Sequence, residues 1–454
     1  MTSSISFMNW PEFAPAPVGA TQTLWPRRVV AELTTRCNQR CPMCVKQSPG
    51  CGIDEGDMAW EVFRRLEPAF PHLESLVLSG IGEPMLHPRL ADAVALARAS
   101  MPADSRIAFQ SNGVVLGSPR GQDKATALMD AGLTSVCLSV DSADPGEYRR
   151  LRPGGETSLL ERAFASLKTA RKRTDAQFAI GVETVLLRDT LEGLPTVLRW
   201  VAEHGADYAI VSHMLPYHPA MEPQAAWDWH TAEAVALYRE YEDIAHREGL
   251  SLADHGRIAF KYAKSEKEKR LCALVAAMQR EADSRGLTIN PERLMAGGNA
   301  LEETARRIEE VMDKAREIAA EYSMELRLPQ VQPRQERRCE FAEAGTLFVA
   351  MEGTVHPCHF LWHRAAIHRH GAWRTLPARS FGSLLESELR DIWTSPEYAR
   401  FREATLRYDY PFCGSCRLGP CNLVEDAAFE ADCFGVEVPC GECPWALGLL
   451  QCLS

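Results

Sequence analysis

A chain of 454 residues, 46% hydrophobic and 24% charged, is long enough for two or three domains with cores of their own. A net charge of −11 argues against a protein that must neutralise the phosphates of duplex DNA, and no run of apolar residues is long enough to span a membrane. The basic runs RKR (171–173) and KSEKEKR (264–270) read as solvated helix faces.

Residues 1–25 are proline-rich and have neither a basic start nor a continuous apolar stretch, so they read as an extended arm rather than a secretory leader. From 26 to 215, six short apolar runs read as strands: 27–34, 73–80, 106–113, 135–142, 178–187 and 207–215. Amphipathic helical patterns fill the gaps, among them 59–70, 89–100, 122–132 and 194–205. Repeated strand–helix units predict an α/β fold, with a parallel sheet and helices outside it. Six units in place of eight predict a partial (β/α)6 barrel of the TIM type, its ligands at the carboxyl ends of the strands. Residues 216–335 are rich in Ala, Glu, Arg and Lys and predict a helical insertion able to cover the barrel mouth. Residues 336–454 turn cysteine- and proline-rich, as in a small domain held by metal.

Fifteen cysteines are too many and too clustered for chance. Three stand at 37, 41 and 44 and nine between 339 and 452, while Cys51, Cys137 and Cys272 stand alone. With no secretory leader, the expected location is the cytoplasm, where thiol clusters read as metal sites rather than disulfides. Cys137, inside an apolar strand, reads as a small buried hydrophobe.

Cys37, Cys41 and Cys44 follow the first strand as C-x3-C-x2-C. A 4Fe–4S cluster takes four ligands, so a loop supplying three leaves one iron open, where a small molecule binds by its amine and carboxylate. A zinc site would need a fourth ligand from elsewhere. The loop resembles that of the radical S-adenosylmethionine (radical SAM) family, C-x3-C-x-hydrophobic-C, with Met43 where the family most often has an aromatic residue against adenine. The other motifs follow in the family's order. LSGIGEPMLHP carries Gly80, Gly82, Glu83 and Pro84 where the family has its G-G-E-P turn.

The resemblance implies that these residues approach the methionyl end of S-adenosylmethionine, with Glu83 accepting from its ammonium. By the same resemblance Asn112 ends strand three beside the ligand, Ser139 and Asp141 approach the ribose, and Arg152 meets the methionyl carboxylate. Glu183, Ser212 and His213 end strands five and six. The activity implied is reductive cleavage of S-adenosylmethionine to a 5′-deoxyadenosyl radical, which takes a hydrogen from substrate.

The second cysteine field opens as Cys339-x13-Gly353-x4-Cys358, where two strands meeting at a glycine turn bring the end cysteines together. Cys413, Cys416, Cys421, Cys433, Cys440, Cys443 and Cys452 follow. Read alone, the pairs 413/416 and 440/443 could form a four-thiolate zinc ribbon. The opening pair and IWTSPEYARFR (392–402) resemble the SPASM extension of radical SAM enzymes, which implies one or two auxiliary 4Fe–4S clusters on these nine cysteines. Here the spacing departs from the family's C-x5-C-x3-C continuation: C-x4-C is followed by an eleven-residue gap. Five of thirteen histidines crowd HPCHFLWHRAAIHRH (356–370), spaced too unevenly for a single metal site.

SPASM-bearing relatives imply a peptide or protein substrate, or a metalloenzyme or cofactor precursor, and the tail from 432 to 452 looks most like the maturases of metalloenzymes. They also imply an electron donor such as flavodoxin or ferredoxin. No compact basic groove or aromatic platform points to nucleic acid. The alternatives are a multi-cluster electron-transfer protein without this chemistry, or a zinc-bearing C-terminal domain on a radical SAM core acting on a small molecule.

Overall fold

Six parallel strands follow one another in chain order in a computed structural model, which describes residues 23–369, 371–407, 411–417, 421 and 430–453. They are β1 (Arg28–Ala31), β2 (Ser75–Val77), β3 (Arg106–Ser111), β4 (Ser135–Ser139), β5 (Ala179–Leu186) and β6 (Tyr208–His213). Between them run α1 (Trp60–Arg64), α2 (Leu90–Arg98), α3 (Gly121–Asp130), α4 (Pro145–Leu151), α5 (Thr157–Thr174) and α6 (Leu194–His204). The helix expected over 59–70 stops at Arg64, because Pro68 and Pro71 leave only a 3-10 turn over Glu67–His72. Most of the expected N-terminal arm, residues 1–22, lies outside the described residues.

Every residue of β4 and of β6 is buried, as strands covered on both faces must be. Side chains alternate between two cores. Val136 and Leu138 join the large core under the helices, while Cys137 faces a smaller inner core with Val30, Ala108, Tyr208 and Phe348. Cys137 is wholly buried there. Gly181 of β5 makes room for the Tyr208 ring, since a Cβ on it would stand 1.9 Å from Tyr208 Cζ.

The sheet is wider than six strands. β7 (Glu325–Arg327) pairs parallel with β6, β8 (Thr346–Val349) pairs parallel with β1, and β9 (Val355–His356) turns back antiparallel on β8. The first of these comes from the stretch with helical periodicity and the other two from the cysteine-rich segment. These strands are two to four residues long, too short to show a period against their surroundings.

After β6, helices α7 (Ala232–Arg247), α8 (His255–Ala259) and α9 (Glu266–Ser284) pack with the start of α10 (Pro291–Glu321) around their own core of Leu237, Leu274, Met278 and Leu294. Farther along α10, Ile308, Val311, Met312 and Ala315 join the main core, and the helix leads into β7. Beyond lie α11 (Glu340–Glu343), the hairpin β10 (Ala365–Arg369) and β11 (Ala372–Leu376), then α12 (Leu389–Thr394) and α13 (Pro396–Leu406). The C-terminal segment returns to the end of β6. His213 N donates to Leu449 O at 3.2 Å, Gln451 N to Ser212 Oγ at 3.0 Å, and Leu453 enters the inner core. Among the described residues no helix is long and apolar enough to cross a membrane.

Candidate active site and thiol groups

The three-cysteine loop leaves the carboxyl end of β1 and is pinned along its length. Arg36 forks onto Asp57 at 3.0 and 2.6 Å, its carbonyl accepts from Glu83 N at 2.8 Å, and Lys46 Nζ donates to Thr35 O at 2.9 Å. Nitrogen donors approach two of the three sulfurs. Gln39 N lies 3.5 Å and Asn112 Nδ2 3.9 Å from Cys37 Sγ, and Arg152 Nη1 lies 3.9 Å from Cys41 Sγ. Burial pushes all three thiols up, Cys44 to about 11. Adjoining thiols kept protonated by burial, with N–H groups aimed at sulfur, suit a metal that replaces the protons and binds thiolates. Cys51 is turned aside, its Sγ 3.8 Å from Lys46 O.

The turn after β2 is tied into the protein's own packing. A Cβ on Gly80 would stand 2.2 Å from Glu32 Cγ, and one on Gly82 2.2 Å from Thr34 O, so both glycines are required by the protein's own packing. Glu83 is buried and already accepts three bonds: Met85 N at 3.1 Å, Ser111 Oγ at 2.9 Å and Asn112 N at 2.7 Å. It staples the β2 turn, which holds Arg36 O, to the end of β3. Pro84 begins a buried 3-10 turn next to it. Asn112 donates to Asn38 Oδ1 at 2.7 Å and so orders the cysteine loop itself.

Asp141 is likewise occupied. Its Oδ2 takes Arg152 Nε at 2.5 Å and its Oδ1 takes Val185 N at 2.9 Å, and its side chain is fully buried. Ser139 accepts from Gln110 Nε2 at 3.3 Å. The carboxylate that faces open space is Glu183. It lines a cavity of about 210 Å³ with Met43, Gly80, Gln110, Ser212 and His213, and its Oε2 has no partner. Burial pushes Glu183 up to about 7 and holds His213 down at about 4. Met43 sits among Leu151, Leu187, Met214 and Met221, a polarizable wall in place of the ring expected there.

The far wall of the cavity belongs to the C-terminal segment: His359, Trp362, Trp445 and Cys452. Sequence reading assigned none of them to this space. The histidine-rich run was the available signal, and it resolves into separate jobs. His356 contacts Thr354 and Arg379 O, His363 meets Glu32 at 2.9 Å, His368 meets Glu222 at 2.5 Å, and His359 faces the cavity. His370 lies outside the described residues.

Eight of the nine late cysteines sort into two groups of four. The hairpin β8–β9 turns at Gly353 (φ 94°) and brings Cys339 and Cys358 to one small cavity with Cys440 and Cys443. Burial, then neighbouring thiols, push Cys339 up to about 12 and Cys358 and Cys440 well above the usual range. Cys413, Cys416, Cys421 and Cys433 form the second group, within electrostatic reach of one another. The pairs 413/416 and 440/443 thus fall in different groups, although the two meet at Cys413 N, which donates to Gly441 O at 2.9 Å. Among the described residues no three His, Cys, Asp or Glu converge tightly enough for a single metal ion. Cys452 joins neither group; its neighbours are His359, Trp445 and Glu183.

Residues 31–201 match the model of the radical SAM superfamily, and residues 339–417 match SPASM, an iron–sulfur cluster-binding domain. The chain thus carries a radical SAM domain and, after it, a SPASM domain. It is 26% identical over 429 residues to the tungsten-containing aldehyde ferredoxin oxidoreductase cofactor-modifying protein of Pyrococcus furiosus, covering 93% of this chain and 95% of that one. It is 29% identical over 208 residues to PqqA peptide cyclase of Xanthomonas campestris, covering 44% of this chain and 50% of the relative. Among solved structures, Streptococcus suis SuiB bound to S-adenosylmethionine aligns with a TM-score of 0.46 at 12% identity, over 83% of this chain and 68% of that one. The cofactors that the two domains imply are S-adenosylmethionine with the 4Fe–4S cluster that binds it, and iron–sulfur in the SPASM domain.

Proposed function

We propose that Cys37, Cys41 and Cys44 hold the 4Fe–4S cluster whose open iron takes the amine and carboxylate of S-adenosylmethionine. Bound there, the pair supplies the 5′-deoxyadenosyl radical. The observation that carries this reading is Met43: it lies between two of the cysteines and lines the same cavity as the unpaired Glu183. Arg152 and Asn112 orient the loop through its sulfurs, and the Met43 wall with Trp362 and Trp445 keeps water from the reacting atoms. Gly80, Gly82, Glu83 and Pro84 shape the turn behind the loop, and Asp141 holds Arg152 in place. Of the positions matched to the family, Ser139 bears on the cavity through Gln110.

Cys339, Cys358, Cys440 and Cys443 hold one auxiliary cluster, and Cys413, Cys416, Cys421 and Cys433 a second. Both thiol sets have the count that a fully ligated cluster needs. The reaction is modification of a metalloenzyme or its cofactor precursor, or of a peptide or protein. The end-to-end likeness to the Pyrococcus cofactor-modifying protein favours the first, and the half-length likeness to the peptide cyclase keeps the second. Electrons come from a low-potential donor of the flavodoxin or ferredoxin kind. Fifteen free thiols support a reducing compartment, the cytoplasm.

The test is anaerobic reconstitution with iron and sulfide, reduction with dithionite, addition of S-adenosylmethionine, and chromatography of 5′-deoxyadenosine. Wild type forms it and Cys41→Ala does not. An iron-replete wild type that forms none overturns the reading.

A further inference from the structure

We propose that Cys452 is a hydrogen-atom donor to the reaction cavity and not a ligand of an iron–sulfur cluster. The inference rests on the radical reading above and assigns a residue that the reading leaves without a role. Cys452 is the only thiol, among the described residues, on the wall that also carries Met43, Gln110 and Glu183. Its Sγ lies 3.7 Å from His359 Nδ1. The chain holds it from both sides: Gln451 N is bonded to Ser212 Oγ at 3.0 Å, and Leu453 is buried in the inner core.

The space it faces has the marks of a ligand site. Glu183 Oε2, Gln451 Oε1 and His213 Nδ1 are buried without partners, on residues 9%, 8% and 2% exposed, and all three residues line the cavity. Buried polar atoms left unpaired are costly unless something else meets them. Burial also pushes the Cys452 thiol up to about 12, so sulfur keeps its hydrogen at neutral pH.

An S–H bond is weaker than an aliphatic C–H bond, so transfer from sulfur to a carbon-centred radical runs downhill. The Cys452 S–H bond breaks and a C–H bond forms at the radical carbon. The sulfur is left as a thiyl radical. One electron from a low-potential one-electron reductant and one proton from solvent restore the thiol.

The test needs no substrate. Iron-loaded full-length protein is transferred to D2O without added thiols, reduced with dithionite and given S-adenosylmethionine, and the 5′-deoxyadenosine is weighed by mass spectrometry. Wild type is expected to deliver one deuterium to the nucleoside. Cys452→Ala and Cys452→Ser are expected to lose that label while keeping the iron content and reduced-cluster spectrum of wild type. The serine variant preserves side-chain size should alanine fail to fold. A label that is absent from wild type, or that survives in both variants, overturns the proposal, as does loss of one cluster's iron from them. Absence of 5′-deoxyadenosine from iron-replete wild type overturns the parent reading along with it.

Discussion

Arg152 is shared between Asp141 and Cys41: its Nε sits 2.5 Å from Asp141 Oδ2 while its Nη1 stands 3.9 Å from Cys41 Sγ. The Asp141 side chain is fully buried and that of Arg152 is 11% exposed. Removing one member leaves the other as an uncompensated buried charge. Arg152→Gln and Asp141→Asn are each expected to cost about 3–5 kcal/mol of unfolding free energy. The double variant should cost less than their sum, since the pair is then replaced together. Urea unfolding of the four proteins decides this, and simple additivity would count against the pairing.

Glu83 gathers Met85 N, Ser111 Oγ and Asn112 N on one buried carboxylate. A glutamine there must turn an NH2 toward one of those donors. Glu83→Gln is expected to cost about 1–3 kcal/mol. It should also lower the iron retained by the Cys37 loop, because the staple holds that loop through Arg36 O. Iron assays on a protein lacking the auxiliary cysteines would isolate the effect.

Gly82 and Gly50 offer a contrast between crowding and strain. A Cβ at Gly82 would stand 2.2 Å from the Thr34 carbonyl oxygen, whereas Gly50 (φ 69°) has nothing within 4 Å. Gly82→Ala should cost at least about 3 kcal/mol, because a backbone oxygen must move. Gly50→Ala should cost about 1 kcal/mol, the penalty of a left-handed residue with free space around it. Equal losses in thermal unfolding would refute the packing argument.

Glu183 makes stability depend on pH. Burial raises its folded-state pKa to about 7, so the native chain holds a proton that the unfolded chain releases near pH 4.5. Native stability from this group therefore falls as pH rises from about 4.5 to about 7 and is level above that. Glu183→Gln removes the effect. Relative to wild type it should gain on the order of 3 kcal/mol by pH 8 and gain nothing at pH 4. A pH-independent difference would show that Glu183 ionises in the open.

The two thiol groups predict separable losses. Cys440→Ala should remove one cluster's iron and leave the other's spectrum intact, Cys413→Ala the reverse, and the double variant both. A single variant that empties both sites would mean that the nine C-terminal thiols do not divide as 4, 4 and 1.

The amino-acid sequence by itself determined the chemistry and the order of the parts. Local spacing carries such information: Cys37, Cys41 and Cys44 share one loop, and the six apolar runs became six parallel strands because each is short, continuous and separated by a helical pattern. The tertiary structure decided what depends on residues far apart in the chain. Glu83 and Asp141 are carboxylates at strand ends in sequence, yet Ser111, Asn112, Arg152 and Val185 occupy them, while Glu183 stays unpaired. The nine late cysteines could not be divided by spacing, because Cys339 and Cys440 meet only after β8 has paired with β1 and the tail has folded back. Cys452 shows the limit most plainly. Its neighbours in sequence say nothing of His359, from which 3.7 Å separates it, because the contact is made by the fold and not by the chain.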